Sequence, residues 1–108
     1  MNNLRITGRI VDSPDSRVTP KGRSVTSFIL ASKPPPPGRM LYLKCVAWDG
    51  LATEVAALLP GTRVVVLGFL SSTKWQDRAG NTHNRVELVV EDIGVCPPRK
   101  REASHSTR

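Results

Sequence analysis

Cysteine is scarce in this chain of 108 residues. Cys45 and Cys96 are the only two, far apart in the sequence, so they build no disulfide framework and no metal-ligand spacing. Reduced thiols and a cytoplasmic setting are the expectation. Long apolar runs are missing, and nothing approaches the roughly 20 residues of a membrane-spanning helix. Met1 is followed by polar residues and then an alternating pattern, so no secretory signal is expected. Histidine is limited to His83 and His105, and no Gly-x-x-x-x-Gly-Lys phosphate loop occurs. Carboxylates are few and scattered: Asp12, Asp15, Asp49, Asp77, Glu87, Glu91 and Asp92 share no catalytic spacing, and Glu91-Asp92 has no third partner for a cation. No enzyme, cofactor or metal site is therefore expected.

The shortage of acid leaves 16 Lys and Arg against 9 Asp and Glu, a formal charge of +7. Residues 99–108 hold +3 of this and the preceding 98 residues the other +4, so the basic character is not only a tail effect. Such a charge points to nucleic acid first, an anionic membrane surface second, or to solubility alone. Apolar residues make up 39%, enough for one folded core at this length.

Residues 3–12 alternate, with Leu4, Ile6, Gly8 and Ile10 on one face and Arg5, Thr7 and Arg9 on the other. That period marks a half-buried strand, and Gly8 inside it predicts a bend or a close backbone approach. The polar stretch 13–23 reads as a loop. A second strand is predicted over 24–32, with Val25, Phe28 and Leu30 in the core. Pro34 to Pro37 and Gly38 read as a stiff, extended connector. A third strand, 40–48, carries Tyr42, Lys44, Val46 and Trp48 on one face and Leu41, Leu43, Cys45 and Ala47 on the other. A short helix is predicted over 50–59, capped by Asp49, with a stripe of Leu51, Val55, Leu58 and Leu59 and a stop at Pro60-Gly61. Strands over 63–75 and 84–93 follow, joined by a turn at 77–81. The order β-β-β-α-β-β predicts an all-β fold: a five-stranded OB-fold, a Greek-key barrel with one short helix between strands three and four. Residues 1–96 are read as that domain and 97–108 as a basic, disordered tail.

Only five aromatics occur. Tyr42 and Trp48 share a face with Lys44, and Phe69 and Trp75 share a face with Ser71 and Thr73. Flat rings stack on unpaired bases, and neighbouring cations neutralise phosphates. Core packing is the competing role for any ring. Phe28 suits the core, Tyr42, Trp48 and Trp75 suit a surface, and Phe69 fits either. His83, in the polar hairpin 81–84, reads as a surface or nucleic-acid-contacting residue rather than a general base.

At this point the sequence resembles the bacterial-type single-stranded DNA-binding proteins. The resemblance runs over about residues 2–93. It is carried by Asn3-Leu-Arg-Ile-Thr-Gly-Arg-Ile10, Pro14-Asp-Ser-Arg-Val-Thr-Pro-Lys-Gly22, Ser27-Phe-Ile-Leu-Ala31, Cys45-Val-Ala-Trp48 with Leu51-Ala52, Lys74-Trp75-Gln-Asp77 with Gly80, and Glu87-Leu-Val-Val90. It implies an OB-fold that binds single-stranded DNA with little sequence preference, in replication, recombination or repair. Its stacking platforms would be Tyr42, Trp48 and Trp75, with Lys44 between the first two. Arg5, Arg9, Lys74, Arg78 and Arg85 are candidate phosphate contacts. The implied partners are single-stranded DNA, copies of the chain itself as a dimer or tetramer, and replication or recombination proteins, in the cytoplasm at the nucleoid and away from membranes. Two departures stand out. The connector Lys33–Arg39 is short and carries no ring, and the end of the chain is basic where typical members have an acidic tip. The second favours short relatives, such as the primosomal replication protein N type used in replication restart. An oligomeric interaction scaffold and RNA binding stay open as alternatives.

Overall fold

The computed structural model describes residues 1–97, so all of the expected basic tail but Pro97 lies outside the described residues. Six strands and one helix follow in order: β1 (Leu4–Ile10), β2 (Asp15–Val18), β3 (Ser24–Ser32), β4 (Leu41–Trp48), α1 (Gly50–Ala56), β5 (Arg63–Gln76) and β6 (Thr82–Val95). The sheet order is β1-β5-β6-β4-β3-β2, and β1 also pairs with β3. That second pairing closes β1, β3, β4, β6 and β5 into the five-stranded barrel expected from the sequence. Among these strands β4 and β6 run parallel and the other pairs antiparallel.

Residues 15–18 correct the expected loop. They form a strand along β3, with Asp15 opposite Ser27 and Val18 opposite Ser24. All four are exposed, so no apolar alternation betrayed them. The strand continues the line of β1, which meets β3 at Arg9–Ala31 and Ile10–Leu30. A turn then returns the chain, with the Thr19 N–H donating to Arg23 O and the Gly22 N–H to Thr19 O, both at 2.8 Å. Because β2 is an added element, the helix falls after the fourth strand of six rather than the third of five.

Ile10, Phe28, Leu30, Cys45, Ala47, Val55, Val64, Val66, Leu88 and Val90 fill the barrel. In β3 the inward phase is Thr26, Phe28 and Leu30, and Val25 points outward, contrary to expectation. Thr26 holds a core position because its hydroxyl is satisfied: it donates to Ala52 O at 2.8 Å and accepts from the Ser16 hydroxyl at 2.9 Å. Burial pushes the Cys45 thiol up to about 12, so it stays protonated as a small core group. Gly8 is where β1 presses on β3: a Cβ there would lie 2.4 Å from Ala31 O.

The helix ends at Ala56, three residues early, so Leu59 lies 72% exposed and the buried positions are Ala52 and Val55. Asp49 precedes the helix and its carbonyl accepts from the Ala52 N–H at 3.0 Å, but its side chain makes no capping hydrogen bond because the carboxylate is turned to Arg23. The proline connector is a turn rather than an extended rod, closed by the Gly38 N–H donating to Pro35 O at 2.9 Å. Four consecutive prolines offer no N–H, so Gly38 supplies the donor that folds the segment back. Beyond Leu70 and Leu88, strands β5 and β6 leave the barrel as a two-stranded arm whose residues are mostly exposed on both faces. No helix among the described residues is long and apolar enough to cross a membrane.

Candidate nucleic-acid interface

Strand register assembles the outer surface row by row, because paired residues point to the same side of a sheet. Val46 on β4 is opposite Val89 on β6, and Val89 is opposite Phe69 on β5. The Tyr42-Lys44-Val46-Trp48 face and the Phe69-Ser71-Thr73-Trp75 face are therefore one continuous surface, joined through β6. In the next row Lys44 is opposite Ile29 on β3, and Glu87 is opposite Ser71. A further row runs from Arg9 through Ala31 to Tyr42.

Three rings stand on this surface in different settings. Tyr42 is 65% exposed and Trp75 is 44% exposed, while Trp48 is half-buried. The Arg23 guanidinium carbon lies 4.5 Å from the Trp48 ring centroid. Asp49 grips the same guanidinium, with Nη2–Oδ2 at 2.8 Å and Nε–Oδ1 at 3.3 Å. This pairing pulls the Asp49 carboxyl below its ordinary value and raises Arg23, each through the mutual hydrogen bond first. Asp49, at a positive φ of 57°, thus holds the arginine over the tryptophan ring.

Trp75 is held from the other strand of the arm. The His83 ring stacks on it, centroids 4.5 Å apart and 21° from parallel. His83 Nε2 lies 2.8 Å from Asp77 Oδ2, and Asp77 also accepts from the Ala79 and Asn81 N–H groups, both at 2.9 Å. Those contacts, the His83 bond largest, hold the Asp77 carboxyl below its ordinary value. The Arg85 guanidinium carbon is 5.8 Å from the Trp75 centroid on the same face.

Lys44 is not a free cation. Its Nζ lies 3.1 Å from Glu87 Oε2, with side chains 31% and 13% exposed. Among the remaining candidates, Arg9 falls in the Tyr42 row and Arg85 beside Trp75. Lys74 pairs with Asn84 on the opposite face of the arm, and Arg78 sits in the 77–81 turn. Arg5 is opposite Leu67, itself opposite Asp92, away from the aromatic rows. Sequence reasoning passed over Arg23 and the role of Glu87. Strand phase signals both: Arg23 continues the outward phase of Val25, the partner of Trp48, and Glu87 shares the phase of Val89. Among the described residues no group of three or more His, Cys, Asp or Glu is placed to hold a metal ion.

A family model described as the single-strand binding protein family matches residues 1–96. The chain is 35% identical over 102 residues to single-stranded DNA-binding protein 2 of Streptomyces coelicolor, covering 85% of this chain and 51% of that protein. It is 33% identical over 101 residues to the single-stranded DNA-binding protein of Paenarthrobacter nicotinovorans, covering 84% of this chain and 59% of the relative. The corresponding protein of Mycolicibacterium smegmatis is likewise 33% identical over 101 residues, with coverage of 84% and 61%. The chain thus spans half to three fifths of the length of these relatives.

Proposed function

The chain belongs to the single-strand binding protein family, and from that premise we propose that it coats single-stranded DNA by stacking bases on Tyr42, Trp48 and Trp75 while cations track the phosphates. The observation that carries this reading is the joining of the two aromatic faces through β6 into one surface. Exposed rings carry an aggregation hazard, and stacking on bases gives them a use. Arg9 and Arg85 lie among the rings, and Lys74 and Arg78 extend the positive charge along the arm. Arg5, in a row that runs to Asp92 and away from the rings, is the weakest phosphate contact of the set. The domain we assign to this work is residues 1–96.

The role is in DNA replication, recombination or repair, in the cytoplasm at the nucleoid, with binding rather than catalysis as the activity. Self-association is part of the proposal. β1 pairs with β5 along Leu4–Arg9 but with β3 only at Arg9 and Ile10, so among the described residues one edge of 4–8 has no strand partner, with Thr7 O accepting from the Ser32 hydroxyl at 2.8 Å. An unpaired edge is a template for a second copy.

The test is fluorescence anisotropy of a labelled oligo-dT with the wild type, Trp48→Ala and Trp75→Ala. Each variant is expected to lose about 1–3 kcal/mol of binding with its fold intact by circular dichroism. Full affinity per folded molecule in both variants contradicts the proposal. Burial of both rings between subunits without DNA affinity turns the reading to an interaction scaffold.

A further inference from the structure

The coating surface contains a carboxylate that a purely phosphate-tracking site has no use for. Glu87 stands in the middle row, its side chain 13% exposed, with Lys44 at 3.1 Å. Paired with Lys44, it gives the site no net positive charge for the backbone, and its free acceptor positions suit the bases instead. Lys44 is its ion-pair partner, and a carboxylate has about four acceptor positions. The pair forms the floor of a groove of about 400 Å³ between β2 and the outer faces of β3 and β4, with Val18, Val25 and Val46 as its apolar walls and the exposed Arg17–Asp15 ion pair, 3.1 Å apart, on the β2 side. That volume lies within the range of roughly 300–1,000 Å³ for small-molecule sites. The groove adjoins a stacking platform, because Val25 is the cross-strand partner of Trp48.

We propose that this groove is a base-reading subsite whose preferred occupant is an unpaired guanine. The inference rests on the single-strand reading above and deepens it. Apolar walls suit the faces of a base, and the floor presents an ammonium donor directly beside a carboxylate acceptor. Unstacked bases are recognised through their Watson–Crick edges. Guanine alone offers two adjacent N–H donors there, at N1 and N2, next to a carbonyl acceptor at O6. Glu87 accepts both donors, in the bidentate manner that makes charge-assisted pairs strong, and Lys44 donates to O6. Cytosine and adenine each offer an amino donor flanked by an acceptor, and thymine a single imino donor. The Lys44 charge stays compensated by Glu87, so Lys44 reads a base rather than a phosphate.

The test measures the affinity of the whole chain for an oligo-dT of fixed length and for the same oligonucleotide with one central thymine replaced by guanine, adenine or cytosine. The guanine form is expected to bind roughly 5-fold or more tightly than oligo-dT. Glu87→Gln removes that advantage, and by releasing Lys44 it tightens oligo-dT binding and steepens its salt dependence. Val18→Trp changes an exposed wall residue and removes the guanine advantage by filling the groove, with folding checked by thermal melting. Equal affinity for all four oligonucleotides overturns the subsite, as does a guanine advantage that survives both variants. Failure of every oligonucleotide to bind at low salt overturns the single-strand reading and the subsite with it.

Discussion

Trp48 and Trp75 are each held by a neighbour that is itself held. Arg23 lies over Trp48 because Asp49 grips it, and His83 stacks on Trp75 against Asp77. Ring and clamp therefore separate binding from folding. Asp49→Gly relieves a left-handed backbone at a residue with a side chain and releases Arg23. The expected outcome is a raised urea midpoint together with weaker oligo-dT binding, read by chemical denaturation and anisotropy. The Asp77 carboxyl sits below its ordinary value, so its contribution to the turn is complete above the ordinary carboxylate range. That contribution is lost as pH falls through the lower folded value. Acid titration followed by amide chemical shifts is expected to move Ala79 and Asn81 together in that window. Asp77→Asn is expected to abolish the shared step. The outward positions of Tyr42, Trp48 and Trp75 were legible from alternation, and of the cations Arg9 and Arg85 fall with them. The clamps were not, because Arg23 and Asp49 are 26 residues apart and meet only when β3 pairs with β4.

The β5–β6 arm and the barrel meet at a tight seam. A Cβ on Gly68 would lie 2.0 Å from Val89 O, in the stretch where the β5–β6 register shifts between Leu67 and Gly68. Asn2 secures the same place, its side-chain amide donating to Leu70 O at 2.7 Å and accepting from the Leu70 N–H at 3.1 Å. In Gly68→Ala the contacts under 3 Å are both to Val89 backbone, which has no flexible end to move aside. The substitution is expected to destabilise the fold by about 3 kcal/mol in urea unfolding, with Val89 and Trp75 signals shifted. The barrel strands were readable because period-two alternation records a half-buried surface. β2 was not, since four exposed residues carry no such record. The phase of β3 is hidden at Thr26, whose burial depends on a hydroxyl bond to Ala52 in a different element. The predicted helix stripe is too long, because Leu59 belongs to the turn before Gly61 rather than to the core.

At the scale of the molecule, closure of β1 onto both β3 and β5 turns five alternating strands into one outer wall. The order of strands brings β6 between β4 and β5, a relation no local pattern contains. That relation makes one surface of faces that sequence counting finds separately. The same wall mixes fixed cations with a compensated pair, so the charges we propose for phosphate are Arg9 and Arg85 on the aromatic surface, Arg78 in the turn and Lys74 on the other face of the arm. With each phosphate contributing about −0.7, the logarithm of affinity is expected to fall with the logarithm of salt at a slope of roughly −3. The most direct measurement uses the chain's own two tryptophans, Trp48 and Trp75, as reporters in a titration with unstructured oligo-dT at low and high salt. Saturable quenching, weakened by salt with that slope, is the predicted result. Unchanged tryptophan emission at low salt, under conditions where the oligonucleotide is in excess, contradicts the account.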